Sequence, residues 1–436
     1  MTVNTEEDIL IEEELALTAA TAGAAPINFP KRFTNIFPAF AFRNYQLYFA
    51  GHAISIIGFW LQQVGLGWHI FQLTHSAFWL GAVTAVGGLP ILIVTPFAGV
   101  VIDKVNKQKL ITITQTCEMT VAIIFGLLIF AEKTSLPLIL FLVFVNGLIH
   151  SFDLPTRQSF VIEMVGKKAL ASAISLNNSL FNGARFIGPA IAGVMVATLG
   201  VGWTFILNGL SFLPAILAIL KIRPLYAYKA EVETHPWQSF KTGLVFSFTH
   251  PKILYFMILA TLTAIFIWPY QTLMPIVAQN VYHSGAHGLG ILLASAGLGS
   301  LIGAIFVSSQ SHRQNKGPIV LTGLLVASIS FMLFGINRNF LLANLLLFIG
   351  GFGVLVQVSS TNTLVQLLSP DALRGRIIAV YLTMFIGMMP LGNALAGIIA
   401  QKTSAPFAIG LGAFIFLLFG LFLYFKGIFA NFTTKI

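Results

Sequence analysis

Charge is what this chain of 436 residues has least of: only 9% of its side chains are Asp, Glu, Lys or Arg. A water-soluble domain carries about 25%, so a free-standing soluble globule is excluded. Acids are the scarcer sign, 14 against 24 Lys and Arg. Cysteine occurs once, at Cys117, which excludes an internal disulfide and any cysteine-based metal centre and leaves a small packing residue. Also missing are His-Glu-x-x-His, the Walker loop and Gly-x-Ser-x-Gly. Zinc hydrolysis, direct ATP coupling and a serine nucleophile therefore lack their residues, and neither an enzyme nor a cofactor is expected.

What fills the chain is apolar. Hydrophobic residues make up 57% of it, and 40 are phenylalanine. Nearly uncharged runs recur from end to end, each long enough to cross a hydrocarbon layer of about 30 Å. The fold class is therefore all-α, a polytopic membrane protein. Polar breaks predict twelve spans, at 45–73, 78–102, 110–131, 136–155, 171–199, 202–220, 252–281, 287–308, 317–336, 340–361, 377–401 and 406–426. They group as two six-helix bundles, 44–220 and 252–427, with a tail at 1–43, a linker at 221–251 and a short tail at 428–436. Within the linker, the stretch 237–248 is amphipathic and suits a membrane surface.

The cations are distributed unevenly. Of the 24 Lys and Arg, all but Lys133, Arg338, Lys402 and Arg185 fall in segments that share one side of such a topology. The positive-inside rule then puts both termini in the cytoplasm and the chain in the inner (plasma) membrane. The net charge of +10 thus reflects topology and requires no nucleic acid. The first 25 residues are acidic, with Glu6, Glu7, Asp8, Glu12, Glu13 and Glu14, and so do not form a secretory signal, which begins with basic residues.

The chain also repeats itself. GPAIAG at 188–193 returns as GNALAG at 392–397, and Ala169-Leu170 as Ala372-Leu373. Leu80-Gly81 and Gly88-Leu89 return as Leu289-Gly290 and Gly297-Leu298. In order, and near a half-chain offset, these matches argue for two related six-helix halves, an arrangement that places a binding site at the midplane between them.

This layout resembles the major facilitator superfamily across essentially all twelve spans. GVVIDKVNKQK, residues 99–109, is similar to that superfamily's G-x-x-x-D-R/K-x-G-R-K loop, with Asn106 standing where glycine is preferred. The second-half counterpart, GAIFVSSQSHRQNK, lacks the acid. FDLPTRQSFVIEMVG, NGARFIGPAIAG and SPDALRGRIIAVY resemble the branch of exporters similar to the enterobactin exporter and macrolide efflux proteins, the transmembrane secretion effectors. The resemblance implies that the fifth span packs against the eighth, where Gly188 and Pro189 match an antiporter motif. It also implies a gating latch in which Gly99, Asp103 and Lys107 of the loop work with Arg374 and Arg376, alongside Arg157.

Few polar residues are left to do chemistry. Asn146, His150, Asp153 and Arg157 follow an i, i+4, i+7, i+11 spacing and share one helix face; family architecture lines the cavity with that helix. Histidine and a buried carboxylate suit proton coupling, with Glu118 as a second intramembrane acid and Arg185 a third ionisable candidate. A plain Asp153–Arg157 pair near the inner surface is the rival reading, as is a helix-to-helix pin for Arg185. His52, Ser55, Phe59, Gln62, Gln63 and His69 form an arc of the first span that suits an aromatic, hydrogen-bonding ligand, with Trp268, Tyr270, Gln271 and Gln357 able to complete it. The implied function is a secondary exporter of a small amphiphilic compound, a siderophore or hydrophobic drug, by proton antiport. The expected partners are that small molecule, protons and the lipid bilayer, and the expected state is a monomer. A lysolipid translocator of the same fold is the alternative.

Overall fold

The computed structural model describes residues 30–102, 104–223, 236–310, 315–370 and 373–429. Ten helices are long and apolar enough to cross a membrane. One of them, Leu136–Thr198, is 63 residues long and bends at Gly166, so it provides the fourth span, 136–165, and the fifth, 167–198. The first span, Arg43–Thr74, is outside the ten because His52, Gln62, Gln63 and His69 lower its hydropathy. With these two adjustments the fold is the expected twelve-span helical protein. The other spans are Ala77–Ile102, Lys107–Phe130, Val201–Lys221, Pro251–Val281, Gly285–Ser309, Gly317–Ile336, Phe340–Leu368, Arg374–Lys402 and Ala405–Phe425. A helix at Pro236–Thr249 lies between the halves in sequence and packs on the start of the eleventh span, where Gly243 meets Arg376.

The joint between the fourth and fifth spans departs from the sequence reading, which places a loop at 156–170. Arg157, Glu163, Lys167 and Lys168 interrupt the apolar pattern, yet the helix carries on because its polar turns lie beyond the hydrocarbon layer or find partners. Lys107 Nζ, for example, sits 2.6 Å from Glu163 Oε1 in a buried ion pair. Gly166 then takes φ 69° and ψ 177°, a region essentially restricted to glycine. Gly166→Ala is expected to cost about 1–3 kcal/mol, read as a lower Tm of the purified protein; an unchanged Tm would show that the bend tolerates a side chain.

The two halves repeat the same packing. The second span lies on the fourth and the third on the sixth, and correspondingly the eighth lies on the tenth and the ninth on the twelfth. Between halves, the fifth span crosses the eighth and the second crosses the eleventh. Both crossings use the repeated glycines. A methyl group at Gly193 would lie 2.7 Å from the Gly290 Cα, and one at Gly397 3.1 Å from the Gly81 Cα, so only glycine lets these backbones meet.

The halves meet at one end and separate at the other. Gly81 and Gly397 touch on the side away from the first and last described residues, where Ser76 Oγ also donates to Gln401 Oε1 at 2.8 Å. At their opposite ends the same two spans diverge. A methyl group on Gly99 or Gly375 would meet nothing within 4 Å, and Arg374–Ile386 packs on the linker helix and on the seventh and tenth spans instead of the second. The structure is therefore closed on the side away from the termini and open on the terminal side.

Candidate functional site

A cluster of ionisable groups occupies the N-terminal half. Glu118 stands 11 residues into the third span from Lys107, and Asp153 12 residues before Val165; at 1.5 Å per residue both lie roughly 17 Å from the terminal-side helix ends. Asp153 is fully buried. Its Oδ2 lies 2.6 Å from Arg157 Nη2, and its Oδ1 accepts from Thr114 Oγ1 at 2.9 Å. Arg157 Nη1 reaches His52 Nδ1 at 3.2 Å, and His52 stacks on Tyr48 with centroids 5.3 Å apart. His150 Nδ1 lies 3.2 Å from Glu118 Oε1, under the Phe59 ring, whose plane is 11° from its own. The third span thus delivers its acid directly to the fourth-span stripe.

Ligand atoms of Glu118, His150 and Asp153 lie within 4.8 Å of one another, the spacing of a possible metal site. Arg157, however, already sets a fixed positive charge against Asp153, so the set is better matched to a proton than to a divalent ion. Two carboxyl groups, one guanidinium and one imidazole are thus gathered in a single connected set.

A second polar group sits on the boundary between halves. Arg185 is 4% exposed, and its guanidinium carbon lies 4.7 Å from the Trp268 ring and 5.9 Å from Trp60. Its Nη2 donates to Tyr270 Oη at 3.5 Å, as does Gln271 Nε2 at 3.2 Å. Local backbone geometry explains the placement. The seventh span has π-helical turns at Thr263–Ile267 and Val277–Val281, and Trp268 N bonds back five residues to Thr263 O at 2.9 Å, just before Pro269. Such turns shift the helix register and set Trp268, Tyr270 and Gln271 between them. On the fifth span, Gly188 admits the Trp60 side chain, and Pro189 follows it.

The remaining candidates are dispersed. Ser55 is buried, Asn146 half-buried and Gln63 exposed. Gln62 accepts from Asn208 Nδ2 at 2.6 Å and His69 pairs with Thr134 Oγ1 at 3.0 Å, both within the N-terminal half. Gln357 is enclosed by Thr263 and Thr361 in the C-terminal half. Lys107 holds Glu163, and Arg374 Nε donates to Gln366 O at 3.3 Å. Asp103, the acid of the expected latch, lies outside the described residues, as do Ala372 and the acidic stretch at the start of the chain. Trp60 and Glu163 escaped the sequence reading: a tryptophan in a hydrophobic run and an acid beyond a presumed span end carry no periodic signal. On the face away from the termini an open depression of about 400 Å³, lined by His75, Asn280, Arg338 and Gln401 among others, contains none of the ionisable cluster.

Two packing-equivalent six-helix halves around buried ionisable groups define a membrane transporter of the major facilitator fold. A bacterial homologue of the iron transporter ferroportin, in an inward-facing state, shares this fold with a TM-score of 0.68 over 90% of this chain and 99% of that one, at 13% identity. Within the superfamily, the profile of the transmembrane secretion effector family matches residues 35–431, and the chain belongs to that family. The staphyloferrin A transporter of Staphylococcus aureus is 25% identical over 365 residues, 81% of this chain and 89% of its own. The enterobactin exporter EntS of Escherichia coli is 27% identical over 354 residues, 80% of this chain and 83% of its own. The protein is thus a multi-pass membrane transporter of a small molecule and not an enzyme.

Proposed function

We propose that this transporter exports a siderophore across the inner membrane by alternating access, driven by protons moving inward. The observation that carries the proposal is the charge balance at Glu118, His150, Asp153 and Arg157, which leaves one negative charge for a proton to cancel. Burying an uncompensated charge costs several kcal/mol, so the cluster takes up a proton from water on the outer side, carries it through the occluded state and releases it to water on the cytoplasmic side. The names of the two relatives support the cargo class. The open terminal side supports the direction: on the positive-inside reading that side faces the cytoplasm, where an exporter loads. His52, Phe59 and Asn146 on the N-terminal side, with Trp268 and Gln271 opposite, supply the substrate wall; the protein works as a monomer.

The test uses everted membrane vesicles with an imposed proton gradient. Siderophore is expected to accumulate in vesicles containing the protein, and an uncoupler should abolish the accumulation. Uptake indifferent to the gradient would remove the antiport reading while leaving transport in place.

A further inference from the structure

Arg185 is a buried cation with no carboxylate in ion-pair reach among the described residues. Two indole faces offset part of its desolvation, but they offer no hydrogen-bond acceptor to a group with five N–H donors. Among the described residues, Tyr270 Oη is the side-chain acceptor that reaches it, at a long 3.5 Å. Tyr270 Oη accepts from both Arg185 and Gln271, so its own hydrogen remains to be donated. Trp60 Nε1 is buried and has no partner. Buried N–H and O–H donors and aromatic rings from both halves thus gather around one guanidinium, with no carboxylate among them.

We propose that Arg185, Trp60, Trp268 and Tyr270 form a subsite for a planar aromatic anion, such as an aryl carboxylate. The anion accepts the guanidinium's forked N–H pair, while its ring packs against the indoles. This deepens the transport reading above and rests on it for the identity of the cargo, but not for binding itself. Arg185 and Trp60 belong to one half, Trp268 and Tyr270 to the other, so a bound anion touches both. The subsite is separate from the proton cluster but continuous with it: Trp60 meets Phe59 edge-on at 5.7 Å, and Phe59 covers His150.

The experiment measures ligand binding to purified protein in detergent, without a gradient, by calorimetry and by quenching of tryptophan fluorescence. Benzoate is the probe, benzamide its neutral match and citrate its non-aromatic match. Benzoate is expected to bind about 10- to 100-fold more tightly than benzamide, the range for a hydrogen bond to a charged group, and more tightly than citrate. Arg185→Gln should remove that preference, Tyr270→Phe should weaken it, and Cys117→Ala should leave it intact. Arg185→Met, checked for an unchanged Tm and elution volume, guards against simple misfolding. Equal binding of benzoate and benzamide, or full benzoate affinity in folded Arg185→Gln and Arg185→Met, would overturn the assignment; citrate binding as tightly as benzoate would overturn its aromatic part. Because no gradient is present, benzoate binding alongside failed antiport would discard the coupling reading alone.

Discussion

Asp153→Asn is expected to abolish gradient-driven accumulation in everted vesicles while sparing exchange of internal for external siderophore. With that carboxylate gone, Glu118 and Arg157 balance each other, His150 can remain neutral, and the cluster no longer requires a proton to be buried. Substrate exchange needs the halves to rock only with cargo aboard, so it survives. Arg157→Gln makes the opposite error. It leaves Asp153, which is wholly enclosed, without its partner at 2.6 Å, a loss of about 3–5 kcal/mol for a broken buried pair, and the Tm should fall accordingly. Intact coupling in Asp153→Asn would transfer the proton role to Glu118 alone.

The second large effect concerns the outer closure. Gly193→Val and Gly397→Val each push a side chain into a backbone that now lies within 3.1 Å of the added carbon. Overpacking of this kind costs about 1–3 kcal/mol, which shifts the balance against this closed state by roughly 5- to 150-fold. Transport should fall in proportion. In a Cys117→Ala background, a cysteine at Asn280, on the outer depression, should react faster with a membrane-impermeant thiol reagent once either valine is present. Unaltered labelling would mean that the glycine crossings do not hold the outer side shut.

Much of this architecture could be read from the sequence, because membrane spans and repeats are governed by a simple solvent. Apolar runs marked the helices, and the paired glycines that recur between halves are the ones on which both crossings rest. The i, i+4, i+7, i+11 spacing likewise put His150, Asp153 and Arg157 side by side. Partnership was not legible. Gln62 and His69 share an arc with His52, yet Asn208 and Thr134 satisfy them from within the N-terminal half. A polar residue in an apolar helix indicates that it has a partner, not whether that partner is cargo or another helix. Helix length misled for the same reason: Glu163 reads as part of a loop after the span 136–155 until Lys107 is found paired with it.

The bend at Gly166 has a mechanical meaning. Because the fourth and fifth helices join through one residue instead of a loop, there is no slack between the rod that carries Asp153 and the rod that carries Arg185. The helix that crosses the other half through Gly193 is therefore the direct continuation of the helix that holds the buried acid.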